Sequence, residues 1–427
     1  MTLYLKNARY LDYKTLEFSE TALAVEAGPQ GKITLLKAVP PLAERGPGDQ
    51  VIDCGGKLVT KSFGCGHHHI YSVLSRGMPP SPVVPTNFVE VLEQVWWRLD
   101  KCLDNDMTEA SALFAAMCCA KRGVTFVIDH HAAPFAVKGS LETIARAFER
   151  VGLGHLLCYE ISDRDGQKIA EDGLAEHDAY LASGRRGLVG LHASFTLSDA
   201  TLKQAVDLAV KHKTGLHIHV AEAQSDQENC LAKHGTRIGR RLENCGLLAQ
   251  PHTILGHCVH LDDEERKLIA ASQAWVAQSC ESNQNNNVGL SGYQWTPRVM
   301  LGVDGMHHDM IRSAQAAYMA GQNTEGLSPA ALYQRFRAVH EYLRAANVPG
   351  DADNNLVILN YQSPTPLERD NFPGHFAFGF SSGDVETVIA QGRVIVENGR
   401  LVSEDESDIV AYAQQQAGRL WKAMQGK

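Results

Sequence analysis

Eight short apolar runs alternate with longer amphipathic stretches through the middle of the chain, and this alternation restricts its fold more than any other feature. Buried parallel strands are typically continuous apolar runs, and the amphipathic stretches between them are typical of covering helices. The runs are 58–65, 124–129, 154–161, 187–195, 215–220, 253–257, 274–280 and 299–304. Eight such units predict an α/β fold, a distorted (β/α)8 TIM-type barrel whose active site lies at the C-terminal ends of its strands.

The two ends of the chain carry short β-strand patterns that are too few to form separate sheets. Residues 1–57 and 355–427 each contain several such segments, and Asn398-Gly399 is a hairpin signal. We therefore predict one small β-sandwich formed by both chain ends, as a composite domain of residues 1–57 and 355–427. Residues 58–354 then form the barrel domain, and 403–425 a C-terminal helix.

Composition and charge argue against several classes of partner. The net charge of -9, without a dense block of Lys and Arg, argues against nucleic-acid binding. No apolar stretch is long enough to cross a bilayer, and the N-terminus lacks a signal-peptide pattern. We expect a cytoplasmic homo-oligomer, a dimer, that acts on a small molecule. The ten cysteines include no CxxC pair, which argues against disulfides, a thiolate zinc site and the His/Cys class of nucleobase deaminase.

Histidine and aspartate side chains follow four of the predicted strands. His67 and His69 flank one residue, so strand alternation directs both imidazoles to one side and leaves His68 pointing away. His219, His257 and Asp304 end later runs and are therefore predicted to meet the first pair at the mouth of the barrel. Imidazoles and a carboxylate suit one divalent metal ion, Zn²⁺ or Fe²⁺, with a position left for water.

These motifs resemble those of the amidohydrolase superfamily, and the similarity covers nearly the whole chain. The HxH of His67 and His69, His219 with Glu222 three residues later, His257 and Asp304-Gly305 stand where that superfamily has its site residues. The closest likeness is to its aminohydrolase and chlorohydrolase branch. That likeness is carried by the stretches 67–77, 96–100, 128–132, 282–289 and 363–367.

The resemblance implies a hydrolytic deaminase of a purine, pterin, pyrimidine or triazine, acting through a metal-bound hydroxide. His67, His69, His219 and Asp304 would hold the metal ion. His257 and Asp304 would orient and deprotonate the water, and Glu222 would protonate the ring nitrogen and the departing amine. A second metal is not expected, because the strand before His192 ends without the lysine of binuclear relatives.

Candidate substrate contacts are Arg76, His192, Trp96 and Glu160. His192 begins a segment similar to one that contacts substrate in relatives, although a structural histidine is an equal alternative. Arg76 suits a carbonyl or carboxylate, with a lid salt bridge as its alternative. The insertion 72–106 is predicted to be a lid or pocket wall, in which Trp97 is interpreted as a core residue. We interpret the Asn-rich stretch 283–287 as a polar pocket loop, and His68, His131, His307 and His308 as structural or rim residues.

Three departures from the resemblance concern recognition, and none changes a predicted ligand. Lys61-Ser62 replaces a Pro-Gly pair, Ser194 replaces a proline, and Gln278 replaces a histidine that relatives carry on strand seven. Gln278 in particular indicates altered substrate recognition. Two alternatives remain open at this stage: a chlorohydrolase or cyclic amidohydrolase at the same site, and a non-catalytic metal-binding scaffold.

Overall fold

A computed structural model describes residues 1–425, which form seventeen strands in chain order. Strands β1 to β5 are Thr2–Leu11, Phe18–Glu26, Ile33–Leu36, Gln50–Asp53 and Leu58–Lys61. Strands β6 to β13 are Phe63–His68, Val124–His131, Gly154–Tyr159, Val189–Ala193, Leu216–Val220, Ile254–His257, Trp275–Gln278 and Val299–Leu301. Strands β14 to β17 are Leu356–Leu359, Val385–Ala390, Arg393–Glu397 and Arg400–Leu401.

Fourteen α-helices occur in the same residues. Helices α1 to α7 are Phe88–Val91, Trp97–Asp100, Asn105–Lys121, Ser140–Val151, Gln167–Ala182, Asp199–His212 and Gln224–His234. Helices α8 to α14 are Ile238–Asn244, Asp263–Ala271, Cys280–Asn285, Met310–Thr324, Pro329–Ala345, Phe372–Phe378 and Glu406–Gln425. A short π-helix, Leu92–Trp96, joins α1 to α2. A 3₁₀ segment, Ile70–Ser75, follows β6. None of these helices combines the length and apolar composition needed to cross a membrane.

The eight strands β6 to β13 are parallel and form a ring. Strands β6, β7 and β8 pair in one sheet and β9 to β13 in a second. Parallel backbone bridges join the sheets, between Leu157 and Gly187 on one side and between His68 and Asp304 on the other. The predicted barrel is confirmed. Helix α12 covers the end where the strands begin, since Val339 and Tyr342 pack in the barrel core with Ile254 and Trp275.

The first predicted barrel run is divided into two strands. Leu58–Lys61 is β5, which pairs with β1 and β14 in the other sheet, and the barrel begins only at Phe63. Lys61, the last residue of β5, forms a buried ion pair, since its Nζ lies 3.1 Å from Asp351 Oδ1. Lys61 Nζ also donates to the carbonyl of Ala352 at 2.6 Å. The lysine that stands in place of a proline therefore anchors the end of β5 to the loop before β14.

Strands from both chain ends, together with β5, form one nine-stranded sheet, which confirms that the two ends fold together. Its order is β17-β16-β15-β14-β5-β1-β2-β3, with β4 paired to β1. The division into a composite domain of residues 1–57 and 355–427 and a barrel domain of residues 58–354 stays a proposal. The predicted C-terminal helix is present as α14, which packs beside the 3₁₀ segment after His69. There Trp421 Nε1 donates to the carbonyl of Leu74 at 2.9 Å.

Candidate metal centre and active site

The four predicted metal ligands meet at the mouth of the barrel. His69 Nε2 lies 2.9 Å from Asp304 Oδ1 and 3.1 Å from His219 Nε2. His67 Nε2 lies 3.2 Å from Asp304 Oδ1 and 3.3 Å from His219 Nε2. Donor atoms around a tetrahedral ion bound at about 2.0–2.1 Å are about 3.4 Å apart. The four side chains therefore have the spacing of one metal site.

Neighbouring groups orient these ligands. His69 Nδ1 donates to the carbonyl of His130 at 2.6 Å, which leaves the lone pair of its Nε2 facing the other donors. His67 Nδ1 lies 3.0 Å from His217 Nε2, and the Ser282 hydroxyl donates to Asp304 Oδ2. Such partners on the far side of a metal ligand set its orientation and basicity. Three ring nitrogens and one carboxylate oxygen face one another at contact distance, so the residues fit a bound metal.

The backbone is strained at three strand ends of this site. Ala221, His257 and Asp304 have φ values of 47°, 66° and 53°, in the left-handed region. Residues other than glycine adopt this region at an energetic cost, and such residues concentrate at functional sites. The strain turns the chain at the ends of β10, β11 and β13, where site residues face the cavity.

Glu222 and His257 form a pair beside the four ligands. Glu222 Oε2 lies 3.5 Å from His257 Nε2, and Asn286 Nδ2 donates to Glu222 Oε1 at 3.2 Å. Asn283 Nδ2 donates to His257 Nδ1 at 2.9 Å, which directs Nε2 toward Glu222. Burial raises the pKa of Glu222. Burial opposes ionisation of Asp304 as well, but the adjacent His69 and His67 hold its pKa well below the usual value.

Glu160 and His192 lie on the opposite side of the cavity. His192 Nδ1 donates to Thr196 Oγ1 at 2.8 Å, because the Thr196 hydroxyl proton is used on the carbonyl of Ala193. His192 Nε2 therefore carries a lone pair and lies 3.5 Å from Glu160 Oε1. Burial raises the pKa of Glu160 to about 7. This side of the cavity presents hydrogen-bond acceptors to a ligand.

The inserted segment supplies the apolar wall of the cavity. The cavity, about 620 Å³ with its open mouth, is lined by Phe88, Leu92, Trp96 and Trp97 opposite the polar groups. The predicted lid or pocket wall is therefore present in the structure. The interpretation of Trp97 as a core residue is wrong: its ring lies 6.0 Å from that of His192. The Arg164 guanidinium covers the other side of Trp97, with Cζ 4.9 Å from the ring.

Comparison with known proteins identifies the family. A model of the amidohydrolase family matches residues 59–336. The chain belongs to the amidohydrolase family. A relative from Desulforudis audaxviator (strain MP104C), named 5-methylthioadenosine/S-adenosylhomocysteine deaminase, is 26% identical over 451 residues, which cover 98% of this chain and 99% of the relative.

Two solved structures share the amidohydrolase fold of this chain. An adenosine deaminase from Xanthomonas campestris with bound zinc has a TM-score of 0.79 at 18% identity, covering 98% of each chain. An atrazine chlorohydrolase from Arthrobacter aurescens TC1, complexed with zinc, has a TM-score of 0.80 at 16% identity. It covers 97% of this chain and 100% of its own. At these identities the likeness concerns the fold.

Two predicted recognition residues of this amidohydrolase lie away from the cavity. Arg76 is exposed and is not among the lining residues, since it follows the end of the 3₁₀ segment Ile70–Ser75. Gln278 is also absent from the lining, since its Oε1 accepts from Arg335 at 2.9 Å. The geometry does not support Arg76 as a substrate contact, and Gln278 does not reach the cavity in which it was expected to alter recognition. Ser194 has a structural role, as acceptor from the buried Arg241 at 2.8 Å.

The sequence patterns do not identify several residues that contact the site. The Asn-rich stretch was interpreted as a polar pocket loop, whereas Cys280–Asn285 is a short helix, α10. Ser282 and Asn283 on this helix, and Asn286 after it, bond Asp304, His257 and Glu222 respectively. The ring of His130 also lies among the donors with His67, His69 and His219, although in the sequence it is only one residue of the stretch 128–132. The only sequence signal for α10 was its polar composition directly after a strand.

Proposed function

We propose that this amidohydrolase is a metal-dependent aminohydrolase that removes an amino group from a nitrogen heterocycle and releases ammonia. The observation that carries the proposal is the position of the Glu222 carboxyl. It lies beside His257 in the same cavity as the converging His67, His69, His219 and Asp304. A proton-transfer group next to a metal site is a requirement of hydrolysis and not of metal storage.

One divalent ion, Zn²⁺, is proposed for the four converging donors. Nitrogen and carboxylate donors at this spacing suit zinc, and both structural neighbours described above contain it. When bound, such an ion lowers the pKa of water toward neutrality and so supplies a nucleophile. Fe²⁺ is the alternative ion, and metal analysis of the purified protein distinguishes the two.

Different side chains around the metal donors carry out the separate proton transfers. His257, fixed by Asn283, and Asp304, fixed by Ser282, orient the attacking water, and Asp304 accepts its proton. Glu222 gives a proton to the ring nitrogen beside the attacked carbon and then to the departing amine. Burial raises the pKa of Glu222, which favours a protonated carboxyl able to make these transfers.

Substrate recognition is proposed for Trp96, Trp97, Glu160 and His192. The indoles offer a face on which a planar ring stacks, and Glu160 with His192 Nε2 offers acceptors for substrate N–H or O–H groups. The name of the Desulforudis relative makes adenosine-type nucleosides the first compounds to test. The expected dimer stays a prediction.

Deamination is favoured over dechlorination at this site because of the leaving group. An amine departs only after protonation, whereas chloride departs without a proton. The buried Glu222, held by Asn286 and facing His257, is placed for that protonation.

The experiment is a substrate panel with zinc-loaded protein, in which ammonia and chloride are measured in parallel. The panel holds adenosine-type nucleosides, guanine, aminopterins, aminopyrimidines, and amino- and chlorotriazines. Ammonia release from an amino-heterocycle is the expected result. Chloride or ring-opened product without ammonia would identify the site as a chlorohydrolase or cyclic amidohydrolase. If no compound of the panel is turned over and Glu222→Gln leaves the cellular function of the protein unchanged, the protein is a non-catalytic metal-binding scaffold.

A further inference from the structure

A second cluster of metal-binding side chains lies behind the barrel wall, outside the catalytic cavity. It consists of His68 on β6, Cys119 on α3 and His308 in the loop after β13. One donor atom from each lies within 4.8 Å of the others, and all three residues are buried. The fold brings them together from three distant parts of the chain, so no short motif marks the site.

The two histidines of this cluster leave buried atoms without partners. His68 Nε2 lies 2.9 Å from His308 Nδ1, and the two rings are parallel within 7°. A neutral pair makes one hydrogen bond here, and within residues 1–425 His68 Nδ1 and His308 Nε2 have no hydrogen-bond partner. Unpaired polar atoms in a protein interior are rare and cost free energy. The pair is therefore poorly explained as a structural hydrogen bond alone.

Asp129 is positioned to support His68 as a ligand. Its Oδ1 lies 3.9 Å from His68 Nδ1 and accepts from the backbone N–H of Ile70 at 2.8 Å. Its Oδ2 is buried and has no partner in the described part of the chain. Metal-binding histidines usually donate their second N–H to a carboxylate. With a cation on Nε2, the Nδ1–H of His68 would face the Asp129 carboxylate in this way.

We propose that His68, Cys119 and His308 form a second metal site for a thiophilic d¹⁰ cation, Zn²⁺ or Cu⁺. Two imidazoles and one thiolate are soft and borderline donors that suit these ions. On binding, the Cys119 thiol loses its proton to solvent and a sulfur–metal bond forms. The single negative charge of the thiolate neutralises Cu⁺. The two positive charges of Zn²⁺ are neutralised by the thiolate together with the Asp129 carboxylate.

The ion would link three elements that position the catalytic donors. His68 lies between His67 and His69, and His308 follows Asp304 by four residues, while Cys119 belongs to the outer helix α3. Helix α3 has contacts with the 3₁₀ segment after His69 and with α14. The proposed role of the second ion is to stabilise this wall of the site, separately from the reaction itself.

The test uses the full-length protein, stripped of metal and loaded anaerobically with Co²⁺, the optical substitute for Zn²⁺, or with Cu⁺. Wild type is expected to bind two ions per chain and to show a thiolate-to-metal charge-transfer band with at least one of the two metals. Cys119→Ala is expected to bind one ion and to lose the band. Cys118→Ala, the adjacent buried cysteine on the same helix, is the matched control that keeps both.

A second variant covers the case in which Cys119→Ala fails to fold. His308→Asn keeps the thiol and is expected to lose the second ion and the band. One ion per chain without a band in wild type, for both metals, would overturn the proposal. So would a band that survives in Cys119→Ala or in His308→Asn. Folded Cys119→Ala is expected to retain turnover, since Cys119 is not among the residues that line the cavity.

Discussion

The Nε2 atom of His257 faces the Glu222 carboxylate at 3.5 Å because Asn283 holds the opposite ring nitrogen at 2.9 Å. Glu222 follows β10, His257 ends β11, and Asn283 belongs to α10 after β12. Three neighbouring βα units of the barrel therefore build one proton-transfer pair.

Glu222→Gln is expected to lower kcat about 10²–10⁴-fold, the usual contribution of a general acid. The amide keeps the size and the contact with Asn286 but supplies no proton to the leaving amine. Metal content should stay unchanged. Steady-state ammonia release is the measurement, and Glu228→Gln, an exposed change on α7, is the matched control. Equal loss in both variants would exclude a specific role for Glu222.

Asn283→Ala is expected to lower kcat about 10–100-fold, the range found when a side chain that orients a metal-site histidine is removed. Without Asn283, the imidazole of His257 loses the donor that directs its Nε2 toward Glu222. Gln284→Ala, an exposed change on the same helix, should have wild-type activity. Full activity of Asn283→Ala would show that His257 needs no orienting partner.

Trp96→Leu is expected to raise KM more than it lowers kcat, because a stacking surface binds substrate and transition state alike. Aromatic stacking on a base contributes about 1–3 kcal/mol, so KM should rise about 5- to 100-fold. The measurement is a full kinetic profile on the best substrate of the panel. Trp295→Leu, a partly buried indole outside the cavity, is the control. A loss confined to kcat would argue against stacking.

Asp351→Asn is expected to destabilise the fold more at pH 6 than at pH 2.5. Burial alone would raise the pKa of Asp351, but His340 and Lys61 lower it to about 2. A carboxyl with a depressed pKa stabilises the fold above its unfolded pKa of about 3.9. That contribution is lost as pH falls through about 2. The difference between wild type and Asp351→Asn should shrink by roughly 2 kcal/mol over this range.

Urea unfolding at the two pH values measures this difference in the free energy of unfolding. Asp353→Asn, an exposed aspartate two residues away, should show no comparable pH dependence. A constant difference for Asp351→Asn would mean that Asp351 is not ionised in the folded protein.

The predicted metal ligands were found in the sequence because their positions follow from local rules. Strand alternation orients His67 and His69, and the shared end of parallel strands brings His219 and Asp304 to them. The buried ion pair of Lys61 could not be predicted, because its partner Asp351 lies 290 residues later in the chain. Contacts at such separation are set by the packed fold and leave no local pattern.

Arg76 and Trp97 show the same limit within the site. The position of Arg76 after the metal pair predicts a substrate contact. The 3₁₀ segment Ile70–Ser75 instead places Arg76 outside the cavity. Trp97 has the spacing of a core residue, yet Arg164 covers one side of its ring and leaves the other at the cavity. Side-chain direction in an irregular segment depends on its neighbours in space, which sequence spacing does not provide.

The most direct measurement is ammonia release from the best amino-heterocycle of the panel, before and after Zn²⁺ is returned to metal-stripped protein until binding is complete. Metal-dependent deamination at His67, His69, His219 and Asp304 predicts no release without metal and full release with it. His219→Ala should then fail to recover. Equal ammonia release with and without metal, or recovery of His219→Ala, would contradict this site as the centre of the reaction.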